Sequence, residues 1–99
     1  MLIHEYNESP TPASGYWGDS TGKLLGSLCN QVYVKSTTSS TVFDVVITND
    51  SGNVVRHYTD VVGQINDLTP FPTKGVYAIE IDNATVDEAF EVYICFREN

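Results

Sequence analysis

From residue 28 onward, apolar and polar side chains alternate along the chain with a period of two. This is the period of a β-strand, whereas an amphipathic helix repeats its apolar positions about every three or four residues. In residues 41–48, for example, Phe43, Val45 and Ile47 point to one side, and the other side carries a mixture of polar and apolar residues. The alternation therefore predicts strands that each bury one face.

The same alternation predicts where the strands lie. They cover residues 28–35, 41–48, 53–62, 64–68, 77–82 and 90–97. Two runs of turn-forming residues, 49–52 and 82–85, each predict a hairpin between the strands on either side. About five to eight short strands with two buried faces favour an all-β fold, a small antiparallel β-sandwich of jelly-roll or immunoglobulin-like form.

The first 27 residues differ from the rest because Pro and Gly are spaced through Ser and Thr. We therefore expect an extended N-terminal arm over residues 1–27 and a β-sandwich domain over residues 28–99. Aromatic and large apolar side chains in such an arm are candidates for an interface with another chain. The candidates are Tyr6, Tyr16, Trp17, Leu24 and Leu25. They either cover one end of the domain's own core or lie across a neighbouring chain, and the sequence leaves both arrangements open.

Charge narrows the choice of partners. The chain has 13 acidic and 5 basic residues, for a formal net charge of -8. Such a charge repels phosphate backbones and anionic lipids, and the basic residues are scattered, so neither nucleic acid nor a membrane is expected as a partner. No apolar run approaches the roughly 20 residues of a membrane span, and residues 1–12 do not have the pattern of a secretory signal peptide.

Residues with catalytic or ligand-binding chemistry are few. Cys29 and Cys95 fall in strand-like runs, as free buried thiols do, and with His4 and His57 they do not form a metal-binding spacing. We expect no metal, no cofactor and no catalytic residues, and hence no enzyme. An unrecognised active site around His57 and nearby carboxylates is the remaining enzymatic alternative.

Three segments, KSTTSSTVFDVVIT (35–48), GVYAIEI (75–81) and ATVDEAF (84–90), resemble small accessory proteins of tailed-phage virions. The resemblance implies a capsid decoration or cement protein, or a related head-tail structural component. Such proteins are compact β-sandwiches at capsomer junctions, often trimers, whose extended termini reach over neighbouring subunits. It further implies a homo-oligomer, a partner that is the major capsid protein or another virion protein, and assembly into the virion in the host cytoplasm.

An alternative from another functional class is a carbohydrate- or receptor-binding β-sandwich. In that case exposed aromatic side chains such as Tyr16, Trp17 or Tyr58 would stack on sugar rings. Both hypotheses require a binding surface and neither requires catalysis.

Overall fold

The computed structural model describes residues 3–97, except for the side chains of residues 23–27. Its strands are β1 (Ile3–Glu8), β2 (Trp17–Ser36), β3 (Val42–Thr48), β4 (Val54–Val62), β5 (Gln64–Asp67), β6 (Phe71–Asp82) and β7 (Phe90–Arg97). All pairings among these strands are antiparallel, which confirms the predicted all-β class. Within the part of the chain that is described, no helix is long and apolar enough to span a membrane.

The long strand β2 joins two layers. Its first half pairs with β6, from Trp17 opposite Ile81 onward, and its second half pairs with β7 on one side and β5 on the other. Layer 1 therefore consists of β1, β7, the second half of β2 and β5, and layer 2 of the first half of β2, β6, β3 and β4. A register shift between Cys29 and Gln31 marks the junction, since such bulges bend a strand.

The core lies between the two layers. Alternate side chains of β3 and β6 from layer 2, and of β2 and β7 from layer 1, are buried together. Phe43 of β3 meets Phe90 of β7 edge to face, with ring centroids 4.9 Å apart. Burying one such large apolar side chain contributes about 1.5–3 kcal/mol. The predicted sandwich is thus confirmed, with its core formed by the faces that the alternation marked as apolar.

One predicted hairpin is confirmed and the other is wrong. β3 and β4 pair as expected around the turn at 49–52. β6 and β7 do not pair with each other, because β6 lies between β2 and β3 whereas β7 lies between β1 and β2. Residues 83–89 therefore cross from layer 2 to layer 1. Side-chain alternation indicates which face of a strand is buried, but it does not indicate which strand lies beside it.

Residues 1–27, predicted as an extended arm, pair extensively with the rest of the chain where they are described. β1 pairs with β7 along its whole length, and β2 runs without interruption through residues 27 and 28. Gly15 and Gly22 have φ angles of +80° and +75°. Gly22 lies within a register shift of β2. Glycines that suggested an arm thus permit a turn and a bulge within the sheet.

Candidate interaction faces

Two of the predicted interface residues pack within this domain. Tyr6 of β1 is only 7% exposed, and its hydroxyl donates a hydrogen bond to Asp19 Oδ2 at 2.6 Å. Burial and this hydrogen bond raise the pKa of Tyr6 far above its ordinary value. Trp17 is partly buried against the core, at the register position opposite Ile81.

Tyr16 differs because it is 49% exposed. It lies beside Gly18, where an added Cβ would come within 2.7 Å of the Tyr16 hydroxyl. Partial desolvation and the nearby carboxylates of Glu80 and Asp82 raise the pKa of Tyr16. Tyr16 therefore belongs to the outer surface of layer 2.

Leu24 and Leu25 fall in β2, where Leu24 pairs with Gly75. Their side chains lie outside the described residues, so their part in an interface stays a prediction.

The outer surface of layer 1, here called the layer-1 face, is polar and aromatic. Its side chains alternate with the buried residues of β1, β2, β5 and β7. They are Ile3, Glu5, Asn7, Leu28, Gln31, Tyr33, Lys35, Gln64, Asn66, Glu91, Tyr93, Cys95 and Arg97, with the apolar Ile3 and Leu28 at one end, opposite Arg97. A single row, Asn7–Tyr93–Tyr33–Asn66, crosses all four strands, with each residue directly opposite the next.

Contacts within the layer-1 face satisfy several of these groups. Gln31 Nε2 donates to Asn66 Oδ1 at 3.0 Å. Hydrogen bonding with Cys95, burial and hydrogen bonding with Glu5 together raise the pKa of Tyr93 to about 12. Lys35 lies directly opposite Glu91, so this face pairs a cation with an anion. The face offers two aromatic rings and neutral hydrogen-bonding groups.

The outer surface of layer 2, here called the layer-2 face, is apolar and acidic. Its residues include Tyr16, Val42, Asp44, Val46, Thr48, Val54, His57, Asp60, Val62, Ala78, Glu80 and Asp82. Val42 and Val62 are directly opposite each other at one end of the β3–β4 hairpin, and they are 46% and 64% exposed. A pair of exposed β-branched side chains on a rigid sheet is a surface that a protein partner can bury.

Hydrogen bonds from the same chain stabilise the charged form of the Asp44 carboxylate. Its Oδ1 accepts a hydrogen bond from the Asp60 backbone nitrogen at 2.8 Å, and its Oδ2 accepts one from Asn83 Nδ2 at 2.7 Å. These two hydrogen bonds lower the pKa of Asp44 below its usual 3.8. Asp60 has a φ of +54° at a register shift of the hairpin, and the Asp44 carboxylate anchors this bulge.

A third carboxylate joins the loops at one end of the sandwich. Glu88 Oε1 accepts hydrogen bonds from Ser36 Oγ at 2.8 Å, the Thr38 backbone nitrogen at 3.1 Å and Thr41 Oγ1 at 3.2 Å. Hydrogen bonds from Thr38 and Ser36 lower the pKa of Glu88. Glu88 thus holds the turn after β2 against the segment that enters β7.

The concave features at this end are shallow. Two depressions of about 500 and 400 Å³ share Lys35, Ser36 and Thr37. Glu88, the carboxylate beside them, already accepts hydrogen bonds from its own chain. Among the described residues, no group of three or more His, Cys, Asp or Glu is placed to hold a metal ion.

Of the residues considered for reactivity, His57 lies near Asp44 and contributes to lowering its pKa after the hydrogen bonds that Asp44 accepts, whereas Cys29 and Cys95 belong to β2 and β7. His57 is exposed on the layer-2 face, opposite Val46. Cys29 is buried as expected, and its desolvation raises the pKa of the thiol to about 11. Cys95 is half-buried on the layer-1 face instead of in the core.

Comparison with known proteins gives a structural likeness but no family. No family model matches the sequence, and no curated protein is significantly similar to it. A chain in the structure of infectious bursal disease virus, Gx strain, aligns with 96% of this chain at 10% identity and a TM-score of 0.46. This chain spans 30% of the length of that viral chain.

Sequence reasoning missed the main members of both faces. Tyr33 and Tyr93 lie at outward-facing positions of β2 and β7, strands whose buried positions were predicted. Applying the same alternation to the outward-facing positions would have identified both tyrosines. The pairs Val42–Val62 and Asp44–Asp82 depend on strand register and neighbour order, which single-strand patterns do not contain.

Proposed function

We propose that the protein is a virion structural protein, a capsid decoration or cement protein that binds across neighbouring capsid subunits. The observation that carries the proposal is the exposed Val42–Val62 pair on the layer-2 face. The segments 35–48, 75–81 and 84–90, which resemble phage virion accessory proteins, supply the biological class.

Burial of the valine pair would drive docking. Removing an exposed valine side chain from water contributes about 1.5–3 kcal/mol when burial is complete. Val42 and Val62 are adjacent, so one apolar contact covers both of them. A capsid repeats its binding sites, and several weak contacts made at once by an oligomer multiply into strong binding.

The two-layer architecture suits a bridging molecule. The layer-1 and layer-2 faces point in opposite directions from one shared core. A single domain can therefore contact two neighbouring subunits at once. Binding that occurs only to the assembled shell raises the free energy needed to separate its subunits.

Co-sedimentation with shells made from the major capsid protein of the same genome tests the proposal. We expect saturable binding at a fixed ratio and a higher melting temperature of the decorated shell. The double variant Val42→Ser/Val62→Ser should bind more weakly, whereas Val54→Ser, which alters a comparably exposed valine about 20 Å away at the other end of the same face, should bind normally. Absence of co-sedimentation, or a decorated shell that melts at the same temperature, would contradict the proposal.

A carbohydrate-binding function is a second candidate, supported by the row Asn7–Tyr93–Tyr33–Asn66. Aromatic rings flanked by amide groups can stack on a sugar and hydrogen-bond to its hydroxyls. Tyr58 is less suited to this because its hydroxyl donates to Asp67 Oδ2 at 2.6 Å. Glycan-array binding that is lost in Tyr33→Ala and kept in Val62→Ser would favour this candidate over the capsid-binding one.

A further inference from the structure

We infer that the layer-2 face docks a cationic protein surface, one that presents Lys or Arg side chains beside apolar side chains. The inference rests on the proposed function and specifies the chemistry of the partner. Its basis is the arrangement of carboxylates around the Val42–Val62 pair.

Two of these carboxylates oppose each other directly. Asp44 of β3 and Asp82 of β6 are register partners on neighbouring strands. Side chains at such positions have Cβ atoms about 4.5–5.5 Å apart, and like charges placed there destabilise the sheet. Asp82 Oδ1 accepts a hydrogen bond only from the next residue, Asn83, among the described contacts. The pairing of β3 with β6 therefore places two carboxylate positions opposite each other, where a cation of a partner could lie between them.

The surrounding positions add negative charge, and the basic side chain beside them is His57, which contributes to lowering the pKa of Asp44 after the hydrogen bonds from Asp60 and Asn83. Glu80 is two residues from Asp82 on the same strand, and Asp60 touches Asp44 through its backbone nitrogen. Among the described side chains, the outward positions of β3 and β4 carry no Lys or Arg, and Lys74, at an outward position of β6, lies about 20 Å along the strand from Glu80. The backbone of Lys23 pairs with Val76, about 13 Å along β6 from Glu80 at strand spacing.

Apolar and acidic groups are interleaved on this face. Val42 is two residues from Asp44 on the same side of β3, and Val62 lies opposite Val42. An occupant that covers both must therefore combine apolar contacts with positive charge. A second copy of this chain does not fit, because its formal net charge is -8. A different, basic protein surface does fit, by charge complementarity.

A peptide probe separates this inference from general attraction to an acidic protein. The probe is a blocked octapeptide with the repeat Lys-Lys-Val-Val, which presents both residue types on each side when extended. Its partner control has the repeat Glu-Glu-Val-Val. Binding to the full chain is followed by amide chemical shifts at about 50 and about 300 mM salt, since screening weakens exposed ion pairs.

We expect the lysine peptide to bind more tightly at the lower salt and to shift residues 42–46, 57–62 and 80–82, whereas the glutamate peptide does not bind. The double variant Glu80→Gln/Asp82→Asn should weaken binding roughly five- to tenfold. The matched variant Glu5→Gln/Glu91→Gln removes the same charge from the layer-1 face and should bind as the parent does. Equal weakening by both variants, shifts confined to layer 1, or no binding at about 1 mM peptide would each overturn the inference.

The same variants distinguish this inference from the proposed function. Shells that bind Glu80→Gln/Asp82→Asn as tightly as the parent protein overturn the cationic partner and leave the capsid role in place. If the lysine peptide binds the layer-2 face but the protein does not bind shells, the cationic partner is supported and the capsid role is overturned.

Discussion

The layer-1 face and the layer-2 face are supported by the same bent strand and the same core, yet their outward side chains differ. The layer-1 face carries tyrosines and amides, and its charges include the facing pair Lys35 and Glu91. The layer-2 face carries valines and carboxylates, and it includes the facing pair Asp44 and Asp82. A formal net charge of -8 is thus distributed unevenly over the molecule.

The difference shows that strand register decides which charged side chains face each other, and therefore which surface favours a partner. Opposite charges that face each other neutralise locally and favour the isolated domain. Like charges that face each other destabilise the isolated domain and favour a partner that brings the opposite charge. The layer-2 face is therefore the better candidate for docking, although both faces belong to one sheet.

The largest expected effect tests whether the two faces share one cooperative core. Phe43→Ala removes a fully buried ring that contacts Phe90 in the other layer. We expect the free energy of unfolding in urea to fall by about 3–5 kcal/mol, in a single transition. Val62→Ala, on the exposed surface, should change it by less than about 0.5 kcal/mol. Two separate transitions in Phe43→Ala would show that the layers unfold independently.

The next largest effect on stability is expected at Gly63, in the connection between the two layers. Gly63 connects β4 to β5 with a φ of +77°, and an added Cβ would lie 2.5 Å from the Ser39 carbonyl oxygen. Gly52 has a similar φ of +84° with open space around it. The φ angle alone costs about 1–2 kcal/mol for alanine. Gly63→Ala should therefore lose more stability in thermal unfolding than Gly52→Ala, and equal losses would contradict this packing.

Removing one carboxylate from each face should give opposite results. Asp82→Asn removes one of two carboxylates at directly opposed positions and should raise the free energy of unfolding by about 0.2–1 kcal/mol. Glu91→Gln removes the partner of Lys35 and should lower it by a similar amount. Both changes should shrink at high salt. The same sign for both variants would mean that only the net charge matters.

The smallest expected effect concerns the pKa values of two hydrogen-bonded carboxylates, Asp44 of β3 and Asp67 of β5. Hydrogen bonds from the Asp60 amide and Asn83 lower the pKa of Asp44, and a hydrogen bond from Tyr58 lowers that of Asp67. Their stabilisation is complete above the unfolded value of 3.8 and is lost as the pH falls through the lower folded values. Carboxyl-carbon NMR titration should give midpoints below 3.8 for both groups. A midpoint at or above 3.8 for Asp44 would contradict its described hydrogen bonds.

Much of the fold was predictable because burial follows local alternation. Phe43, Val45 and Ile47 were assigned to one buried face from their spacing alone, and that assignment is confirmed. The placement of β6 and β7 in different layers was not predictable, because both strands show the same pattern whether they lie side by side or across a core. The continuation of β2 back to Trp17 was hidden by glycines that permit bulges as readily as loops.

The candidate faces were less predictable than the core. Tyr16 was identified from the sequence as an exposed aromatic, and it lies at the layer-2 face. Asp44 and Asp82 are 38 positions apart in the chain, and only the pairing of β3 with β6 brings them together. Surface charge pairs of this kind follow from topology, so they become visible only when the strand order is known.

Carboxylate labelling of the protein on and off capsid shells tests the central claim most directly. A carbodiimide couples an amine to exposed carboxylates, and mass spectrometry measures the modification at each site. Shells should protect Glu80 and Asp82 strongly and leave Glu5 and Glu91 modified at their free rates. Protection of Glu5 and Glu91 with full modification of Glu80 and Asp82 would contradict the assignment of the layer-2 face as the docking surface.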